Sequence, residues 1–348
     1  MNGATAPAGP LLLALSLAAG CGPAAAGPRP LTPAPAPAVA APEAPVGLPP
    51  LTEDERATAT RLGETVRHLA GDVRERNASH AFAYATAIDD AVIALEKLGY
   101  EVRRQGFSAG EDVFMNVEAR LPGGEHGREV IAVTAHLDSA PGSPGADAAS
   151  AVAAVLELAR RLAGKRPGRS VRLVLLANGE APLACTPAAG SLAYAKDLAS
   201  SGLRVLGIIA LDGIAVFRGE PGTARLPPEV APGFPSTADF VAVLGDAASP
   251  ELARTVGAAL ARASTIPVKE GAVPPAFLDA VAADAWGFRG AGIPVAAITD
   301  TGPFRSAEVR HATDTPDRLD LERLSRVVVG LGRVVADLAT APDGAARP

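Results

Sequence analysis

Apolar positions along this chain change rhythm near residue 130. Before that point, residues 52–71 and 80–98 carry apolar side chains at helical spacing. In the second stretch Ala87, Val92, Leu95 and Leu98 are included, and Gly99 stops the helix. Residues 101–107 and 115–121 alternate as strands on either side of a Gly-Glu-Asp turn. Beyond the change, residues 130–135 form a continuous apolar run, as expected of a strand covered on both faces. A helix follows over 150–162, with Val152, Val155, Leu156 and Ala159 on one side. A second covered strand (171–176), a helix (188–198) and a third covered strand (205–211) come next. After a Pro/Gly-rich loop over 219–235, the pattern predicts strand 240–244, helix 250–264, strand 294–298 and a final helix over 319–338. This alternation predicts an α/β three-layer sandwich: a mostly parallel mixed sheet with helices on both faces.

Composition narrows the picture. At 348 residues and 48% hydrophobic the chain can bury a sizeable core, and with aromatics at only 4% that core must be Ala, Val and Leu. A net charge of -6 without a dense Lys/Arg stripe argues against a nucleic-acid partner. Residues 1–21 read as a lipoprotein-type signal peptide. Their apolar run, 11–19, is shorter than the ~20 residues of a membrane span, and Ala18-Ala19-Gly20-Cys21 resembles a bacterial lipoprotein cleavage box with Cys21 as lipid acceptor. No Lys or Arg precedes that run, a departure from the usual signal peptide. Residues 22–50 are nearly all Pro, Ala and Gly and read as an extended tether. Residues 51–340 remain for the α/β domain. The expectation is an exported envelope lipoprotein, on the periplasmic or surface side, touching the membrane only through Cys21; a plain signal peptide would make it secreted. Cys185 then has no partner and reads as a small buried residue or an idle thiol.

The candidate chemistry lies at strand ends, where open α/β sheets bind ligands. His136 follows the first covered strand, Asp147 lies in the next loop, Glu180 ends the second strand, Asp212 ends the third, and His311 lies in the loop after the last. Two imidazoles and three carboxylates suit a pair of zinc-type ions, which would polarise a peptide carbonyl and acidify a shared water. Asp138 is placed to fix the tautomer of His136. Taken singly these residues have plainer readings: a strand-end His is usually just a polar residue at the rim, and Asp147 could cap a helix starting near Ser150. His68, His80 and His126 fall away from this rim and read as solvated. Trp286 and Phe288 read as ordinary packing before pocket wall, and Arg160, Arg161, Lys165 and Arg166 as a basic helix C-terminus.

The segments VIAVTAHLDS (130–139), PGADAASAVAAVLELARRL (144–162), VRLVLLANGE (171–180), GIIALD (207–212) and GIPVAAITDTGPFRSAEVRHATDTPDRLD (292–320) resemble the co-catalytic zinc aminopeptidase family, which includes glutamate carboxypeptidase and glutaminyl cyclase relatives. The resemblance runs from about residue 60 to 340. It implies two zinc ions, with His136 and Asp212 on different metals, Asp147 bridging, and Glu180 and His311 completing the shells. It also implies a peptide substrate cut at its N-terminal bond. The family's general-base Glu, however, is Gly179 here. Its usual Ser-Asp-His triplet reads Ala283-Asp284-Ala285, the Tyr before the last His is Arg310, and the Asn after the bridging Asp is Ala148. Losing a general base costs about 10²–10⁴ in rate. Glycine is expected to leave room for a water or another acid, and three gathered carboxylates are expected to retain metal. Two functions follow from this: a weak or inactive exported metallopeptidase, or a catalytically silent, envelope-tethered binding or scaffold domain.

Overall fold

The computed structural model describes residues 47–340 apart from residue 249. The signal peptide and nearly all of the tether read from the sequence lie outside the described residues. Helix α1 (Glu53–Val66) opens on a capping box: the Thr52 hydroxyl accepts from the Glu55 amide at 3.2 Å, and the Glu55 carboxylate accepts from the Thr52 amide at 2.8 Å. The chain continues through a π-helical turn over Arg67–Val73 into α2 (Ala81–Lys97), β1 (Glu101–Ala109), β2 (Asp112–Leu121) and β3 (His126–His136). Then come α3 (Ala146–Leu162), β4 (Arg169–Leu176), α4 (Gly190–Ser200) and β5 (Arg204–Leu211). The last part is β6 (Val241–Gly245), α5 (Pro250–Ala263), β7 (Val268–Ala272), α6 (Pro275–Val281), α7 (Asp284–Gly290), β8 (Val295–Thr299) and α8 (Leu321–Ala339).

All eight strands join one mixed sheet in the order β1-β2-β4-β3-β5-β8-β6-β7. Its centre, β4-β3-β5-β8, is parallel, while β2 meets β4 and β6 meets β8 antiparallel. Side chains alternate across the sheet, so Ile131, Val133 and Ala135 of β3 join one apolar layer while Ala132 joins the other. The first layer includes residues of α1, α2, α3, α5 and α8, and the second includes residues of α4, α6 and α7. This is the three-layer arrangement that the continuous apolar runs required. Helix α3 is buried along most of its length, and its alanines let it lie close to both the sheet and α8.

The differences from the sequence reading have local causes. Helix α3 starts at Ala146, four residues before the expected Ser150, because Gly145 at φ 68° supplies the turn into it. Asp147 therefore sits inside the first helical turn, neither in the preceding loop nor at the cap position. β4 ends at Leu176, so Glu180 lies in the loop beyond it. β7, α6 and α7 are too short, and β7 too polar, to show a period. The idle-thiol reading of Cys185 is also corrected: it is half-buried, and the described residues include no free cysteine.

Candidate metal centre

From β3 the chain crosses to β4 on one side, whereas β8 lies on the other side of β5. The carboxyl ends of β3 and β5 thus lie at the point where the sheet changes direction, the usual ligand position in such sheets. His136 is the last residue of β3 and Asp212 the first after β5, so the topology alone brings them together. Their side chains are buried, with His136 Nε2 3.5 Å from Asp212 Oδ1: an ion-pair distance, too long for a good hydrogen bond. The other ring nitrogen, Nδ1, lies 3.1 Å from the Asp138 carbonyl oxygen and 3.4 Å from its Oδ1. Burial alone would depress the His136 pKa, but Asp212 and Asp138 outweigh it and hold the ring well above its ordinary value. Burial likewise works against the Asp212 charge, yet His136 keeps that carboxyl below its usual range.

Asp138 also orders the next ligand loop. Its two carboxylate oxygens accept the amides of Gly179 at 2.8 Å and Glu180 at 3.0 Å, so the loop after β4 is hung from the loop after β3. Gly179 packs directly on the imidazole: a Cβ there would stand less than 3.0 Å from Cβ, Cγ and Cδ2 of His136. The expected room for a water or another acid is therefore absent, because the ring of His136 occupies it.

Asp147 projects from the first turn of α3 between two glycines. A Cβ on Gly213 would fall within 3.0 Å of its carboxylate, and one on Gly302 would lie 3.1 Å from its Oδ2. Its amide donates to Asp314 Oδ1 at 3.0 Å, while its own Oδ1 is buried without a hydrogen-bond partner. Burial, and then the fields of Asp300, Asp314 and Asp212, push its pKa well up. The neighbours behave alike: burial is the first cause that raises Glu180, takes Asp284 and Asp300 to about 7, and takes Asp314 to about 6. The rim therefore gathers more negative charge than the protein neutralises.

His311, the fifth predicted ligand, is exposed, and among the described residues no hydrogen bond or ion pair joins its side chain to His136, Asp147, Glu180 or Asp212. The residue before it takes the inward position instead. Arg310, at φ 66°, sends its guanidinium to Glu180, with Nε 2.9 Å from Oε2 and 3.1 Å from Oε1; Nη1 reaches the Ala280 carbonyl at 3.4 Å. Unbonded His136 Nε2 and Asp147 Oδ1 are donor atoms of the right kind for zinc. Among the described residues, however, no three His, Cys, Asp or Glu side chains are grouped to hold an ion. The arrangement does not fit the two-ion centre expected from the sequence.

Two residues not assigned to the site from the sequence, Arg76 and Asp284, support it. Arg76 is fully buried and donates to the carbonyls of Leu137 at 2.8 Å, Pro144 at 2.8 Å and Gly145 at 3.0 Å. It braces the whole segment between His136 and Asp147, and burial draws its pKa down to about 10. Asp284 starts α7, is buried with Oδ2 unbonded, and feels the charges of His136, Asp212 and Asp138. It was noticed in the sequence only as the middle of a degraded triplet. Phe288 lies in the core, edge-on to Tyr194 at 6.4 Å, so it packs and does not wall a pocket.

A sheet of this topology with His, Asp and Glu at the carboxyl ends of its central strands is a zinc-exopeptidase-like architecture. The model of peptidase family M28 matches residues 116–333, and the chain belongs to that family. It is 30% identical over 285 residues to uncharacterized protein YfbL of Escherichia coli (strain K12), covering 79% of this chain and 87% of that protein. Its fold is similar to that of LapA aminopeptidase of Legionella pneumophila (14% identity, TM-score 0.65, 83% of this chain and 74% of that one). It is also similar to BSAP, a zinc aminopeptidase from Bacillus subtilis (14% identity, TM-score 0.64, 83% and 96%). The chain is a metallopeptidase-like protein of a family that implies zinc.

Proposed function

We propose that this chain is an exported M28 protein that receives peptide ends at the β3–β5 crevice and hydrolyses them weakly or not at all. Membership of a peptidase family and the retained His136, Asp147, Glu180 and Asp212 support the peptide-directed part. The single observation that carries the rest is Gly179. The residue expected to supply the general base has no side chain, and the ring of His136 fills the space where one would start. Without a positioned base the reaction loses about 10²–10⁴ in rate.

The crevice residues can still hold and orient a peptide end. Asp212 and the unbonded Oδ1 of Asp147 offer acceptors to an α-ammonium group, Glu180 being held by Arg310, and the backbone around Gly179 is pinned by Asp138. Family zinc, where bound, would supply carbonyl polarisation and an acidified water; in this chain the protein groups are left with binding and orientation. The leader and tether read from the sequence support export with anchoring at Cys21, a reading that mass spectrometry of the membrane fraction for an acylated Cys21 peptide would test.

Activity is tested with aminoacyl chromogenic substrates, with and without added zinc, beside an active M28 aminopeptidase. The expected result is turnover at least about 10²-fold below the reference. Turnover matching the reference would mean that another group serves as base and that the chain is an ordinary peptidase. Binding of an unhydrolysed peptide without turnover would identify the scaffold form of the reading.

A further inference from the structure

Gathered carboxylates need a cation close by, whatever its source. Here Glu180, Asp212 and Asp147 surround the crevice with Asp138 and Asp284 behind them, and the sequence reading supplied zinc as the answer. The structure holds a different cation in the same place. The loop after β8 carries Arg310 and His311 side by side. The left-handed backbone at Arg310 sends the guanidinium inward to straddle both oxygens of Glu180, leaving His311 in solvent. Glu180 is the nearest charge, and Asp212 and Asp147 also act on the guanidinium. The carbonyl of Ala280 accepts Nη1 from the far side, so the group is fixed at two points.

We propose that Arg310 is a built-in counter-ion that replaces the metal of this centre. Its inward position excludes a divalent cation from Glu180, and its neighbour His311 is thereby withdrawn from the ligand set. The inference rests on reading the crevice as the family's metal centre, and it adds a cause independent of Gly179. A guanidinium is permanently charged and forms a planar fork, which suits a fixed partner for a carboxylate. It cannot polarise a carbonyl or acidify a water as a dication does. A site so filled keeps its acidic residues in place while losing the reagent they serve in relatives.

The test uses the full chain, stripped with chelator and then offered zinc alone, with elemental analysis, calorimetric titration and thermal melts. Wild type is expected to hold no stoichiometric zinc and to melt at the same temperature in zinc or chelator. Arg310→Gln removes the charge with little change of size and is expected to bind zinc on the order of tenfold or more tighter. A unit positive charge at contact distance from a dication repels it by that much even under water-like screening. Its melting point should then rise with zinc. Arg310→Lys keeps the charge and should stay indifferent. Wild type that purifies with one or two tightly held zinc ions overturns the proposal outright, and this needs no variant to fold. The outcomes also separate from those of the functional reading: zinc-bound but slow wild type would sink only the counter-ion, whereas zinc-free but fast wild type would sink the weak-hydrolase reading.

Discussion

Glu118 on β2 and Glu180 at the sheet rim are both buried carboxylates, yet they are neutralised very differently. Glu118 accepts from Arg103 at 2.7 Å, Arg172 at 2.8 Å, Arg120 at 3.0 Å and the Tyr194 hydroxyl at 2.9 Å. Burial raises its pKa, but Arg172, Arg103 and Tyr194 outweigh it and leave the group below its ordinary value. Glu180 has one cation in direct contact, Arg310, and burial wins there. The first cluster is built to remain charged and ties β1, β2, β4 and α4 together. The second is short of positive charge, as ligand-binding crevices often are and structural networks rarely are. The difference marks where this protein keeps a functional rim rather than a brace.

The sharpest way to break that contrast is to remove each acid. Glu118→Ala removes the shared partner of three arginines, of which Arg103 keeps Asp197. Breaking a buried network of this kind costs about 3 kcal/mol, the lower end of the usual range because the arginines keep some access to water. For a chain of this size the melting point should fall by roughly 6 °C. Glu180→Gln should cost less, on the order of 1 kcal/mol: it removes a charge that burial opposes, but it also takes from Arg310 its direct anionic partner and leaves it the Ala280 carbonyl. Parallel urea and thermal unfolding of the two variants decides the matter, and equal losses would show that the two clusters do the same work.

How far these features were readable from sequence depends on what kind of signal each leaves. The covered strands β3, β4 and β5 announce themselves, since a strand packed on both faces must be apolar throughout. With their order comes the crevice, and hence the meeting of His136 and Asp212. Side-chain direction after a loop leaves no such mark. His311 has the right residue type at the right place, yet it is Arg310, at φ 66°, that reaches Glu180 while His311 is exposed. Arg76 sits in Arg74-Glu75-Arg76, a run that looks like solvated charge; its burial follows from where two distant loops close over it. Gly179 showed the loss of an acid. That His136 had taken its space is a tertiary fact.

That packing gives a second, smaller test of the rim. Gly179→Ala puts a methyl group into the imidazole, and overpacking against a fixed neighbour costs about 1–3 kcal/mol. Gly106→Ala on β1 is the control, because nothing lies within 4 Å of a Cβ built there. It should be neutral or slightly stabilising. Restoring the acid with Gly179→Glu should not raise peptidase activity, since the longer side chain must first displace His136. A gain of two orders of magnitude in that variant would show that the ring yields easily.

The mildest effect expected is on the pH dependence of stability, measured by urea unfolding between about pH 3 and 8 with chelator present. Asp284 and Asp300 have folded pKa values near 7, well above the unfolded range, so between roughly pH 7 and 4 the folded chain binds protons that the unfolded chain does not. Stability therefore rises as pH is lowered through that window. His136, also raised when folded, acts in the same direction as pH climbs, because its contribution is lost as pH passes its folded value. Glu118 is depressed, and Glu157 sits at about 2 beside Arg160 and Arg61, so both contribute above the unfolded carboxylate range and lose that contribution as pH falls towards 2. The sum is a maximum in mild acid, with an arm falling towards neutrality of at most about 1.4 kcal/mol per pH unit for each group. Asp300→Asn should flatten the neutral arm and leave the acid arm unchanged, and Glu157→Gln should do the reverse. A wild-type profile that rises steadily from pH 5 to about 8 would mean that the rim acids are ionised and neutralised after all, as Glu118 is.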